Sequence, residues 1–210
     1  TVNDGAPADH HAQAFGGSLG FASQRWHGLQ FRMSGGYTFD LWSSDLTVAD
    51  PFTKQPNRYE LGLFDVTAPR RDNQLAYVQL FQLNFRSRNE RTLVTIGRQE
   101  LATPFINGQD GRMHPTLAEG AWLAHRAARL RFEAGFIHGL SPRSTAGWYA
   151  TEKSIGLYPV GVDARGRPSR YQGNTTSAGI SMLGVQWHAR KSFTVTGWDM
   201  LTANVSNTAM

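Results

Sequence analysis

Apolar residues recur at every second position through segments of about ten residues, and brief turns alternate with long polar stretches between those segments. From His27 to Phe39, Leu29, Phe31, Met33 and Tyr37 are apolar, whereas Gln30, Arg32, Ser34 and Thr38 are polar. Phe81 and Leu83 oppose Gln82 and Asn84 between Tyr77 and Phe85, and Leu130, Phe132, Ala134 and Phe136 oppose Arg131 and Glu133. A period of two sends alternate side chains to opposite faces, so each segment reads as a strand with one apolar and one polar face. Such a strand suits a membrane barrel, apolar side to lipid, or a soluble sandwich with its apolar side turned inward.

Less regular candidates run over 14–23, 93–99, 118–126, 179–187 and 193–200, which makes about eight strands in all. The 179–187 segment changes phase near Leu183-Gly184, which predicts a bulge there. The connections discriminate between the two architectures. Brief polar turns fall at 24–26, 87–90, 128–129 and 189–191, while 40–76, 101–117 and 140–178 are long and rich in Pro, Gly, Asn, Asp and Ser. Long structureless loops are rare in compact soluble domains, whereas barrels pair short periplasmic turns with long extracellular loops. The fold class expected is therefore all-β: an antiparallel transmembrane β-barrel, present in part.

No apolar run reaches the roughly 18–20 residues of a spanning helix, so any crossing is by strands. Cys is absent, which removes disulfide scaffolds and thiol chemistry. The net charge of +5 rests on Arg, with Lys54, Lys153 and Lys191 the lysines, but no basic run of nucleic-acid-binding type occurs. The opening Thr1-Val2-Asn3-Asp4-Gly5 has no basic or apolar signal region, and the chain closes beyond its last candidate strand in a loop-like run, 204–207. Residues 1–210 are thus expected to be one partial barrel domain lacking signal peptide and closing strands, because unpaired edges are not tolerated in lipid.

Other chemistries find little support. His10-His11, and His114 near Asp110, do not converge with a third ligand, so no metal or other cofactor is expected. Gly16-Gly17-Ser18-Leu19-Gly20 matches a nucleophile elbow formally but lies inside a strand candidate with no helix after it, and no catalytic residue is assigned. No phosphate-binding loop follows these glycines either. Trp26, Tyr37, Tyr77 and Trp187 stand at or near strand ends, where barrels carry aromatic girdles. Trp148, Tyr149, Tyr158 and Tyr171 lie in the longest connection, to pack it or to stack on a sugar. The alternative reading is a soluble β-sandwich or barrel that binds carbohydrate through them; it requires the apolar faces of 29–39 and 130–136 to pack on one another.

The run from Gly97-Arg98-Gln99 through Thr103-Pro104-Phe105-Ile106-Asn107-Gly108-Gln109-Asp110-Gly111-Arg112-Met113-His114-Pro115-Thr116 to Glu119-Gly120 resembles the third-loop region of OprD-type outer-membrane porins. Asn57 to Val66 and Gly139 to Pro159 resemble loop segments of the same family. The resemblance implies a barrel of about eighteen strands whose loops fold inward and whose wall carries basic residues, passing small hydrophilic solutes passively. These would be carboxylate-bearing solutes, amino acids, peptides or sugars. Arg32 and Arg131, on the polar phase of clean strands, and Arg98, Arg112 and Arg143, in or beside the matched loops, are the candidate pore cations, with Asp110 and Glu119 as the opposing acidic wall. The partners implied are outer-membrane lipid and lipopolysaccharide, with nucleic acid excluded and homo-oligomerisation left open.

Overall fold

A computed structural model describes residues 11–45, 48, 74–108, 114–143, 145, 147–157, 165, 167, 170, 173–190 and 192–210, with the side chains of 74–80 excepted. The period-two segments become antiparallel strands: β1 (Ala12–Ala22), β2 (Leu29–Ser43), β3 (Gln74–Arg86), β4 (Thr92–Gln99), β5 (Leu117–Arg126) and β6 (Leu130–Ser141). A short β7 (Tyr149–Ala150) and a single helical turn, α1 (Thr151–Ser154), precede β8 (Ile180–Arg190), β9 (Phe193–Thr202) and β10 (Ser206–Ala209). Together they form one sheet in the order β1-β2-β3-β4-β5-β6-β8-β9-β10, with β7 beside β6. Met33 and Tyr37 on β2 and Leu130 and Phe136 on β6 all remain exposed, so the apolar faces of 29–39 and 130–136 do not pack on one another as a sandwich requires.

All eight predicted segments are strands, and the differences from expectation have physical reasons. The run 204–207, read as loop, holds a tight turn with Asn204 at φ +60° and begins β10, which pairs with β9 from Ser206 onward. No bulge occurs at Leu183-Gly184: the ladder is continuous from Ile180 to His188 and shifts only between His188 and Arg190. The apparent change of phase arises because β8 is apolar on its inward face at the loop end and on its outward face from Leu183 onward. Leu183, Val185 and Trp187 are exposed, while Ile180 and Met182 are buried beneath the chain that follows β4.

The two faces of the sheet are chemically unlike. One presents Phe81, Leu83, Phe85, Ile96, Phe136, Leu183, Val185, Trp187 and Val195, all exposed. The opposite face buries Gln82, Asn84, Thr95 and Gln99, and Thr95 Oγ1 donates to Asn84 Oδ1 across the β3–β4 pair at 2.7 Å. The buried apolar cluster also lies on this second face, where Leu101 and Ile106 meet Ala118, Trp122, Ile137, Ile180 and Met182. The face covered by the 101–108 segment is called inward below, and the exposed apolar face outward. An apolar exterior around a polar interior inverts the soluble arrangement and is the pattern of a membrane barrel. No helix among the described residues is long and apolar enough to cross a membrane.

Candidate functional site

Beyond Gln99 the chain turns over the inward face instead of running outward. A bridge between Ala102 and Asn107 closes a small loop. The Thr103 hydroxyl staples it, donating to the Ile106 carbonyl and accepting from the Ile106 N–H, both at 2.8 Å. This local pairing satisfies backbone groups that would otherwise be buried unmet, and frees Leu101, Phe105 and Ile106 to seat on Ala118, Ile137, Ile180 and Met182. The returning strand is tied by Thr116, whose N–H donates to the Gly108 carbonyl and whose hydroxyl accepts from the Arg143 N–H at 3.2 Å.

His114, on this return, is fully buried. Burial pushes its imidazole below the ordinary value of 6.5, opposed in part by a backbone hydrogen bond at Pro115. The neutral ring is therefore the form that fits the seated segment, while the unseated form takes up a proton more readily. Seating is expected to be full above 6.5 and to weaken as the pH falls from there toward the lower folded value. Limited proteolysis of the segment should accelerate between about pH 7.5 and about pH 5.5, and His114→Gln should flatten that dependence.

Under the seated segment lie two cavities, of about 330 and 290 Å³. Arg131, Glu133 and Ala102 border both. Arg86, Arg91, Arg126 and Trp122 line the first, and Trp198 lines the second. Arg131 Nη2 donates to Glu133 Oε1 at 2.9 Å, while Arg131 Nε is buried with no hydrogen-bond partner among the described residues. Arg126 stands opposite Arg131 in the β5–β6 ladder, and like charges directly opposite are destabilising. Arg126 and Arg131 thus concentrate positive charge on the inward face, with one buried donor unmet.

The sequence-predicted residues divide into four groups. Arg131 occupies this cluster, and Arg32 shares the inward face through its pairing with Gln82, but β3, β4 and β5 lie between them. Arg143 is exposed in the turn after β6, away from both cavities. Asp110 and Arg112 lie outside the described residues. Arg98 and Glu119 call for a correction: they face each other across β4 and β5, level with Phe81 on β3, which sets them on the outward face and not along the lumen. The cause is phase, because Thr95, Gly97 and Gln99 take the inward positions of β4. Arg86 and Arg126, missed as candidates, follow on the inward phase of Gln82, Asn84, Trp122 and Ala124. Carrying the alternation to the final residue of each strand would have found them. Ser18 lies exposed within β1, with no strand-turn-helix around it.

Comparison with solved structures gives the same architecture. OccAB2 of Acinetobacter baumannii aligns with a TM-score of 0.67 at 12% identity, over 93% of this chain and 45% of that one. OpdK of Pseudomonas aeruginosa, solved with vanillate, aligns with a TM-score of 0.64 at 17% identity, over 93% and 45%. OccD3 (OpdP) of Pseudomonas aeruginosa gives 0.59 at 16% identity, over 94% and 38%. The chain thus spans less than half the length of these structures. No curated protein sequence matches it. Residues 52–207 match the family model described as outer membrane porin, OprD family, and with its apolar exterior, polar inward face and inward-folded segment after β4, this chain belongs to the OprD family of outer membrane porins.

Proposed function

We propose that this sheet forms part of the wall of a closed, water-filled channel through which small hydrophilic solutes diffuse passively, and that solutes bearing a carboxylate are favoured. The observation that carries the reading is Arg131, poised between two lumen-facing cavities with one donor on Glu133 and Nε unmet. A solute carboxylate accepts from that guanidinium and is passed along the wall to Arg126, Arg86 and Arg91, each step exchanging one charge-assisted contact for another. Glu133 and Glu100 supply negative charge beside the same cavity, so a solute that also carries an amine is oriented by the field between them. Vanillate, held by the OpdK structure, is itself a carboxylate. Passage of this kind is selective without being coupled to energy. Amino acids, peptides and acidic sugars fall within the class.

Single-channel recording from the closed barrel in a planar bilayer tests this. Wild type is expected to give discrete ohmic steps that a carboxylate solute blocks. Arg131→Gln should weaken that block by about tenfold, the equivalent of about 1.4 kcal/mol, while leaving block by a neutral sugar unchanged. Equal block of wild type and variant by the carboxylate would remove Arg131 from the path. No steps at all from correctly folded protein would end the channel reading.

A further inference from the structure

On the outward face a charged pair stands among exposed apolar side chains. The ladders set Arg98 of β4 opposite Glu119 of β5. One row nearer the turns, Leu83, Ile96, Ala121 and Phe136 stand in line across β3, β4, β5 and β6. Arg98 Nε donates to Glu119 Oε2 at a long 3.4 Å, and Trp148 lies against the guanidinium, whose carbon is 4.4 Å from the ring centroid. Neither Nη of Arg98 nor Oε1 of Glu119 is hydrogen-bonded among the described residues, and the side chains remain 28% and 31% exposed. Glu119 is seven residues from Arg126 at the turn end of β5, about 18 Å along the membrane normal for a strand tilted by about 40°. The apolar band of a barrel wall is about 25 Å tall, so the pair falls within it, at a depth where acyl chains offer neither donor nor acceptor. Below the pair, Ile96 and Phe136, both exposed, border a groove of about 540 Å³ floored by Gly97, Gly120 and Ala121.

We propose that this patch is a homodimer interface, occupied by a second copy of the chain about a two-fold axis that runs along the membrane normal between β4 and β5. The inference goes beyond the channel reading and takes from the porin fold only that the outward face looks into the membrane. Such an axis sets β4 against the partner's β5 and β3 against the partner's β6, so each row meets itself reversed. Arg98 then faces the partner's Glu119, and Glu119 faces the partner's Arg98, which closes a ring of alternating charges. In the lower row Ile96 faces the partner's Ala121, a large side chain over a small one, on both sides of the axis, and Leu83 faces the partner's Phe136. Strand tilt displaces ladder partners by about 3 Å along the normal, within the reach of an arginine side chain. Charged groups on a lipid-facing wall are costly unless paired, and within one copy this pair is joined by a single long hydrogen bond. The free Nη fork matches a carboxylate, and stacking on Trp148 fixes its plane.

Native mass spectrometry of the barrel purified in a mild detergent counts the copies in each particle. Wild type is expected to be mainly dimeric. Arg98→Glu and Glu119→Arg each set like charges face to face across the axis and should each cut the dimer fraction about tenfold. Mixed with one another, the two variants should pair as heterodimers at about the wild-type fraction, because every charge across the axis then meets its opposite. A role for the pair within one copy alone predicts no such recovery. Ala121→Phe, which meets the partner's Ile96 with a large side chain, should also cut the dimer fraction about tenfold, and it carries the test if the charge variants do not fold. Heat-modifiable migration in gels verifies the folding of each variant. A monomeric wild type, with or without retained lipid, overturns the proposal, as does a trimer, which a two-fold axis does not build. So does a mixture of the two folded charge variants that stays monomeric, or a folded Ala121→Phe protein that stays dimeric. Arg131→Gln, on the other face, should leave the dimer fraction unchanged while altering carboxylate block. A dimer without channel activity would end the channel reading alone, and a conducting monomer would end this inference alone.

Discussion

Ile106→Asp is expected to unseat the segment that follows β4 and to widen the channel, raising the single-channel conductance by about twofold or more. Ile106 is 9% exposed, in a cluster with Leu101, Ala118, Ile137, Ile180 and Met182 that offers a carboxylate no partner. Burying an unpaired charge costs several kcal/mol, more than the roughly 1.5–3 kcal/mol that a buried Ile contributes, so the segment lifts from the wall and the Asp stays hydrated. The surrounding ladders are unaffected, because β4, β5, β6, β8 and β9 pair through their own backbones. The folded fraction in heat-modifiability gels should therefore match wild type while the conductance rises. Unchanged conductance in a folded variant would show that the 101–108 segment does not set the narrowest point.

Gly97→Val should prevent folding of the barrel. Gly97 has φ +114°, a region L side chains rarely adopt, and an added Cβ would overlap the Phe81 carbonyl oxygen of β3. That oxygen is backbone and cannot turn aside, so β3 and β4 must separate. Backbone strain with the lost pairing places the cost at about 3 kcal/mol or more, in a sheet where every strand depends on its neighbours. Gly197→Val is the matched control, since a Cβ there meets nothing within 4 Å and the position is on the lipid-facing side of β9. Heat-modifiable migration should be lost in the first variant and retained in the second. A folded Gly97→Val protein with normal migration would contradict the close approach of β3 and β4.

Most of the strand layout was legible because membrane strands carry their register in side-chain alternation. Leu29 to Tyr37, Phe81 to Asn84 and Leu130 to Phe136 each name a lipid-facing and a water-facing set without reference to any partner. The period breaks where that contrast fades. Ile180 and Met182 are apolar yet face inward, because Ile106 and Leu101 come to rest near them from a segment about eighty residues earlier. Nothing local to β8 shows that covering. The four-residue β10 is too short and polar to show a period, and it exists because Asn204 accepts a positive φ and returns the chain onto β9.

Fold class, strand boundaries to within a few residues and the likeness to OprD-type porins were determined by the sequence alone, since alternation and turn chemistry are properties of consecutive residues. Which arginines meet was decided only by the tertiary structure. Arg98 and Arg131 are equally basic in sequence, but cross-strand pairing sends the first outward to Glu119 and Trp148 and the second inward to Glu133, beside Arg126 and Arg86. Side-chain direction at a strand end is set by register with the neighbouring strand, a relation between residues far apart in the chain, and one step of phase exchanges lipid for lumen.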